Sequence, residues 1–114
     1  MERSSGPSQF PRSILSLPVS FHPAAADEAE AALVWYAARS PRAAGRFLEA
    51  LADTIEAVSR SPQQFALFHA GTRRALLRHF PFYVVFRETS NSIEVMAIAH
   101  AKRRPGYWRK RLRE

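Results

Sequence analysis

The pattern of apolar and polar positions predicts three consecutive strands in the second half of the chain. Residues 82–88 are almost all apolar and rich in β-branched and aromatic side chains, a composition typical of a strand buried on both faces. A polar turn at 89–92 separates this run from a further apolar run at 93–100. Because the connections are short, we expect these runs and the strand before them to pair as an antiparallel meander.

Residues 74–80 form the first strand of this predicted meander. They alternate so that Ala75, Leu77 and His79 share one face, while Arg78 projects from the other. The proline that follows ends the strand, since proline has no N–H to donate to a ladder.

Two helices are predicted upstream of the strands. Apolar residues recur at three- and four-residue spacing from 23 to about 39, and proline stands at the first position of each helix. Ser40 is placed to cap the second helix, whose stripe consists of Phe47, Leu48, Leu51, Ile55 and Val58. The short link predicts a helical hairpin with one side to cover a sheet.

Three acidic residues fall in the early turns of the first helix. Asp27, Glu28 and Glu30 are predicted to complement the positive end of the helix dipole there.

The N-terminal residues form two parts, 1–13 and 14–21. Residues 14–21 alternate loosely, and Pro18 restricts this strand to a sheet edge or stands at its first residue. Residues 1–13 contain too few apolar side chains to order themselves, so we expect a flexible arm, or a start codon chosen too far upstream. The predicted fold is therefore α+β: the arm, a domain at 14–108 and a basic tail at 109–114.

Composition limits the function classes. A chain of 114 residues suffices for one modest core. The absence of cysteine excludes a disulfide framework and a thiolate nucleophile. No signal peptide or apolar run of about 20 residues is present, so we expect a cytoplasmic protein with no membrane partner.

The net charge of +7 is concentrated in the second half of the chain. Residues 1–68 carry six arginines against seven acidic residues, a net of −1. Residues 69–114 carry eleven Lys or Arg against three Glu, a net of +8. This asymmetry favours a polyanion or an acidic protein as partner over a merely solvated basic surface.

The candidate chemistry is that of phosphate handling. The four histidines lack metal-ligand spacing, and no glycine-rich phosphate loop, nucleophile elbow or triad is present, so no metal or cofactor is expected. RNA cleavage by its own 2′-hydroxyl needs a base, an acid and a cation. The residues that could supply them are Arg78, His100, Lys102, Arg103 and Tyr107. Each also has a structural alternative: a solvated strand arginine, a hydrogen-bonded strand-end histidine, or an aromatic that packs the tail onto the sheet.

Two stretches of the sequence resemble a known family. The runs at 73–87 and 95–108, with similarity reaching upstream to about Leu17, resemble the RelE/ParE superfamily of small toxins from bacterial toxin–antitoxin modules. The resemblance implies growth inhibition, a role in plasmid stabilisation, and a cognate antitoxin whose acidic segment wraps the hairpin and the sheet. A relic that only binds an antitoxin is a further alternative.

The resemblance leaves two activities open. In mRNA-cleaving members that act at the ribosome, the catalytic arginine matches Arg78, and the C-terminal basic residue and tyrosine match Lys102 or Arg103 and Tyr107. Residues 66–75, however, contain no Lys, Asp or Glu to supply the base that those enzymes use.

ParE-like members, which bind DNA gyrase, match better in the arginine pair at 73–74 and in the His-x-x-Arg-Arg ending. The residues then predicted to contact the target or the antitoxin are Arg73, Arg74, Arg78, Arg87, Arg103, Arg104 and Trp108.

Overall fold

The elements follow the predicted order in a computed structural model, which describes residues 16–114. The regular elements are β1 (Val19–Phe21), α1 (Pro23–Arg39), α2 (Pro41–Arg60), β2 (Arg73–Leu76), β3 (Phe82–Glu88) and β4 (Ile93–His100). The sheet has the order β1-β4-β3-β2, with β1 parallel to β4 and the other pairs antiparallel. The α+β class, the edge strand, the helical hairpin and the meander are confirmed.

The helix boundaries lie where proline and serine predicted them. Pro23 and Pro41 occupy first positions, and a single residue, Ser40, links the two helices. Its hydroxyl accepts a hydrogen bond from the Ala43 N–H at 3.2 Å, while the His22 ring accepts one from the Ala24 N–H. These caps satisfy amide groups that a helix start otherwise leaves unpaired.

One face of the sheet packs against the hairpin. Tyr36 and Phe47 from the helices meet Phe80 and Phe82 in a cluster with ring centroids 5.1 to 6.4 Å apart. The predicted stripe on α2 is confirmed except at Leu48, whose side chain is about half exposed.

The opposite face of the sheet is covered by the C-terminal residues. A register shift between β3 and β4 leaves Met96 without a pairing partner, so that Met96 and the residue after it both face this side. Trp108, fully buried, packs there beside Phe68, with ring centroids 5.9 Å apart. Both faces of β3 are therefore buried, as predicted, and so are both faces of β4.

Two strands are shorter than predicted. The strand predicted at 74–80 ends at Leu76, because His79 adopts a left-handed conformation (φ 69°) in a turn that lets the Leu77 N–H reach the Phe82 carbonyl. Arg78 therefore lies in a turn and not on a strand, and His79 does not share a face with Leu77. The first strand begins at Val19, directly after Pro18. Residues 14 and 15, and the predicted arm at 1–13, lie outside the described residues.

Candidate functional site

The C-terminal segment, residues 101–114, attaches to the body at an unpaired strand edge. The backbone pairing of β1 with β4 ends where the His22 N–H donates to the Val95 carbonyl at 2.8 Å. Beyond that point, the Ile98 N–H donates to Glu28 Oε1 at 3.0 Å, and the Met96 carbonyl accepts from Arg111 at 3.0 Å. Two side chains thus satisfy backbone groups that a longer β1 would have paired.

Glu28 collects several donors at this edge. Arg111 Nη1 and Nη2 bind the two carboxylate oxygens, each at 2.9 Å, and the Tyr107 hydroxyl donates to Oε2 at 2.8 Å. Arg103 lies 3.7 Å from the same oxygen. The Glu28 side chain is only 17% exposed, so this bidentate pair operates in a partly desolvated setting where hydrogen bonds to charged groups are strong.

The predicted dipole role of the early acidic residues is wrong. The first turn of α1 contains no acidic residue, and Glu28 serves instead to hold the C-terminal segment. Its principal partner is Arg111, which no sequence pattern distinguished from the neighbouring basic residues.

The pKa of the Tyr107 hydroxyl is raised well above its ordinary value. Burial is the largest cause, followed by the hydrogen bond to Glu28 and by the negative charge of that carboxylate. The hydrogen bonds that Arg111 donates to Glu28 also raise the pKa of Arg111. Tyr107 therefore keeps its proton and acts as a donor within the fold.

Replacing Tyr107 by phenylalanine is expected to change how stability depends on pH. The hydroxyl has a higher pKa in the folded chain than in the unfolded chain, so its contribution is complete below about pH 10 and falls as pH rises further. Urea unfolding at pH 8 and at pH 10.5 should show a smaller alkaline loss of stability in Tyr107→Phe than in the wild type. Equal alkaline losses of stability in the two proteins would contradict the hydrogen bond from Tyr107 to Glu28.

The structure brings four of the candidate catalytic residues into contact as two pairs, His100 with the Lys102 backbone and Arg103 with the Tyr107 ring. Arg78 is exposed in the turn after β2, beside a groove of about 750 Å³ that α2 borders with Glu49 and Asp53. The Tyr107 hydroxyl lies at the unpaired edge of β4. The turn that carries Arg78 adjoins the start of the C-terminal segment, because the Ala101 N–H donates to the Pro81 carbonyl at 2.8 Å.

His100 ends β4 and packs edge-on against Phe82, with ring centroids 5.0 Å apart. Its Nδ1 accepts a hydrogen bond from the Lys102 N–H at 3.0 Å. Lys102 and Arg103 themselves are exposed, and the Arg103 guanidinium lies 3.7 Å from the Tyr107 ring centroid.

The residues predicted to contact a partner divide into two groups. Arg73 donates to the Phe65 carbonyl, and Arg87 donates to Glu94 and to the Leu112 carbonyl, so both support the fold. Trp108 is a core residue with no exposed surface, which corrects its assignment to a contact surface.

Four other predicted contact residues, Arg74, Arg78, Arg103 and Arg104, are exposed and available to a partner. The Arg74 guanidinium stacks over the Phe68 ring at 4.7 Å.

Sequence reasoning missed an exposed apolar surface on the hairpin. Val34 and Trp35 on α1 are more than half exposed, Trp35 to 52%, and Leu48 on α2 is also exposed. The Arg39 guanidinium lies over the Trp35 ring at 3.6 Å. The available signal was that α1 carries apolar residues on more than one side, which a helix with a single buried face does not need.

Residues 16–114 contain neither a candidate metal site nor a helix suited to span a membrane. No group of three histidine or acidic side chains in this part of the chain could hold a metal ion. Neither of the two α-helices is both long and apolar enough to cross a bilayer.

Comparison with known proteins gives concordant matches. Residues 19–105 match the family model described as the ParE toxin of the type II toxin–antitoxin system, parDE. Toxin ParE2 of two Mycobacterium tuberculosis strains is 27% identical over 85 residues, which cover 74% of this chain and 81% of that protein. A chain from the chromosomal ParDE toxin–antitoxin system of P. aeruginosa has a similar fold, with a TM-score of 0.66 at 19% identity, covering 76% of this chain and 98% of that one.

Proposed function

This chain belongs to the ParE toxin family of type II toxin–antitoxin systems, and on that premise we propose that it inhibits growth by binding DNA gyrase in the cytoplasm. A cognate antitoxin neutralises it. The gyrase target is implied by the resemblance to ParE-like members, which match the arginine pair at 73–74 and the His-x-x-Arg-Arg ending. In this function the protein is a binding module that traps another enzyme.

The observation that favours a binding module is that the Tyr107 hydroxyl is bound to Glu28 within the fold. A general acid or base must lie within hydrogen-bond reach of the reacting group and must be free to exchange a proton. The Tyr107 hydroxyl instead donates a hydrogen bond to Glu28, and its pKa is raised further from neutrality.

The second candidate is the ribosome-dependent mRNA endonuclease, and the surroundings of His100 favour it. The hydrogen bond from the Lys102 N–H occupies Nδ1, which leaves Nε2 as the nitrogen available for proton transfer. Exposed cations at 102–104 adjoin this imidazole and could stabilise a charged phosphorane.

The two candidates are separated by His100→Ala and Tyr107→Phe. Both variants are expected to retain growth inhibition and to stabilise gyrase–DNA cleavage complexes with purified gyrase, because neither side chain is required for a binding module. Circular dichroism and antitoxin binding control for folding. If either variant abolishes growth inhibition while it remains folded and antitoxin-bound, the endonuclease replaces the gyrase-directed function.

The antitoxin is expected to dock on the exposed apolar surface of the hairpin. An amphipathic segment that covers Val34, Trp35 and Leu48 buries this surface, as in other helix-in-groove complexes. Trp35→Ala should weaken binding by about 2 kcal/mol, roughly 30-fold, because exposed tryptophans are frequent interface hot spots. Titration calorimetry with the purified antitoxin measures this change.

The matched control is Leu67→Ala, which removes an exposed apolar side chain beside β2. It should leave the affinity nearly unchanged. Equal losses of antitoxin affinity in Trp35→Ala and Leu67→Ala would place the docking surface elsewhere. High salt should weaken the electrostatic part of antitoxin binding more than the apolar part. The variant Arg78→Ala tests the same electrostatic part.

A further inference from the structure

The C-terminal segment carries an unusual density of exposed cations. We propose that this C-terminal basic surface binds the phosphate backbone of duplex nucleic acid without reading its sequence. The inference does not require gyrase to be the target, because it rests on the charge and the structure of the segment. The surface consists of Lys102, Arg103, Arg104, Arg109, Lys110 and Arg113.

The positive charge of this surface is largely uncompensated. Within the segment the one acidic residue is Glu114, which pairs with the His22 ring at 2.6 Å. Glu28 is engaged by Arg111, with Arg103 at the longer distance of 3.7 Å. Among residues 16–114, the other five cations of the surface have no acidic partner, so their charge is available to a ligand.

The backbone of the segment is folded into successive tight turns. The N–H groups of Arg103, Tyr107, Arg109 and Arg111 each bond to the carbonyl three residues earlier, at 2.9 to 3.3 Å. The turns are fixed to the body by the buried Trp108 and by the Glu28–Arg111 pair. Because the backbone is already ordered, binding a polyanion costs less conformational entropy than it would for a mobile tail.

The aromatic residues of the segment decide between single-stranded and duplex ligands. Proteins that hold single strands stack the bases on exposed aromatic rings. Here Trp108 is buried, while the Tyr107 ring is covered by Arg103 and its hydroxyl is bound to Glu28. Cations without stacking surfaces match a duplex backbone, whose phosphates accept hydrogen bonds from arginine and lysine.

The same segment offers no element that could read bases. Its one regular element is the five-residue 3₁₀ helix Arg109–Arg113, whereas major-groove recognition uses a full α-helix or a two-stranded ribbon. Binding should therefore be insensitive to sequence and strongly dependent on salt.

Fluorescence anisotropy with a labelled duplex of about 20 base pairs tests the proposal. With about four phosphate contacts, raising the salt from 50 to 200 mM should weaken binding roughly 100-fold. The double variant Arg104→Glu/Lys110→Glu should reduce the slope of log K against log[salt] by about 2. The charge-matched control Arg42→Glu/Arg46→Glu, on exposed positions of α2, should leave the slope unchanged.

Three results would overturn the inference. Equal effects of the two double variants would show that net charge alone attracts the duplex. Tighter binding of a single strand than of the duplex would contradict the argument from the covered aromatics. Competition by poly-glutamate that is stronger than competition by unlabelled duplex would identify the surface as one for acidic polypeptides. None of these results bears on gyrase inhibition, so the two proposals can fail separately.

Discussion

Replacing Glu28 by alanine is expected to lower the free energy of unfolding by about 3 kcal/mol, since removing one partner of a largely buried ion pair leaves the other uncompensated. The variant removes both hydrogen bonds from Arg111 and the one from the Tyr107 hydroxyl. It also leaves the Ile98 N–H without its acceptor. The C-terminal segment should consequently detach more readily than the rest of the fold.

The control for Glu28→Ala is Glu30→Ala, two residues away on the same helix. Glu30 is exposed, and its removal should cost less than about 0.5 kcal/mol. Urea unfolding at pH 7 compares the two, and hydrogen exchange at residues 101–114 locates the loosened part. If the two variants have equal stability, the Glu28 cluster does not hold the segment.

Replacing Trp108 by alanine is expected to cost about 4 kcal/mol, the range for truncating a fully buried large aromatic. The indole fills the sheet face opposite the hairpin, beside Phe68 and Tyr83. Its Nε1–H has no hydrogen-bond partner in the part of the chain that the structure describes. Trp108→Phe should therefore cost clearly less than alanine, because it keeps most of the apolar contact and removes the unpaired donor.

The prediction that Trp108 contacts a partner is tested by the same variants. Arg104→Ala, an exposed neighbour in sequence, should leave the thermal midpoint nearly unchanged. Growth inhibition by Trp108→Phe should follow its stability. If Trp108→Ala keeps wild-type stability but loses growth inhibition, the indole is a contact residue and the buried position is wrong.

Prolines and capping serines explain why most element boundaries could be predicted. Pro23 and Ser40-Pro41 each fix a helix boundary through a missing N–H or a side-chain cap, and both effects are visible in the sequence. The end of β2 could not be predicted from such residues. The alternation continues through Phe80, but the left-handed turn at His79 redirects Phe80 into the aromatic cluster below the hairpin.

The site was only partly predictable for a related reason. The density of cations in the second half indicated a basic surface, which composition alone can show. The pairing of Glu28 with Arg111 joins residues 83 positions apart, and no local pattern encodes it. Glu28 resembled a helix-dipole residue, and its actual partners became identifiable only once β1 was seen to end short of Ile98. Trp35 was missed because its neighbours Leu33 and Tyr36 accounted for the expected apolar stripe.

The most direct test of gyrase inhibition is induced expression in a bacterial host, with bulk translation and the DNA-damage response followed at the same time. A gyrase-directed toxin predicts DNA-damage signalling while translation is initially intact, with both effects suppressed by the co-expressed antitoxin. Early arrest of translation with cleaved messages would contradict the account and would assign Arg78, His100 and Tyr107 to an active site.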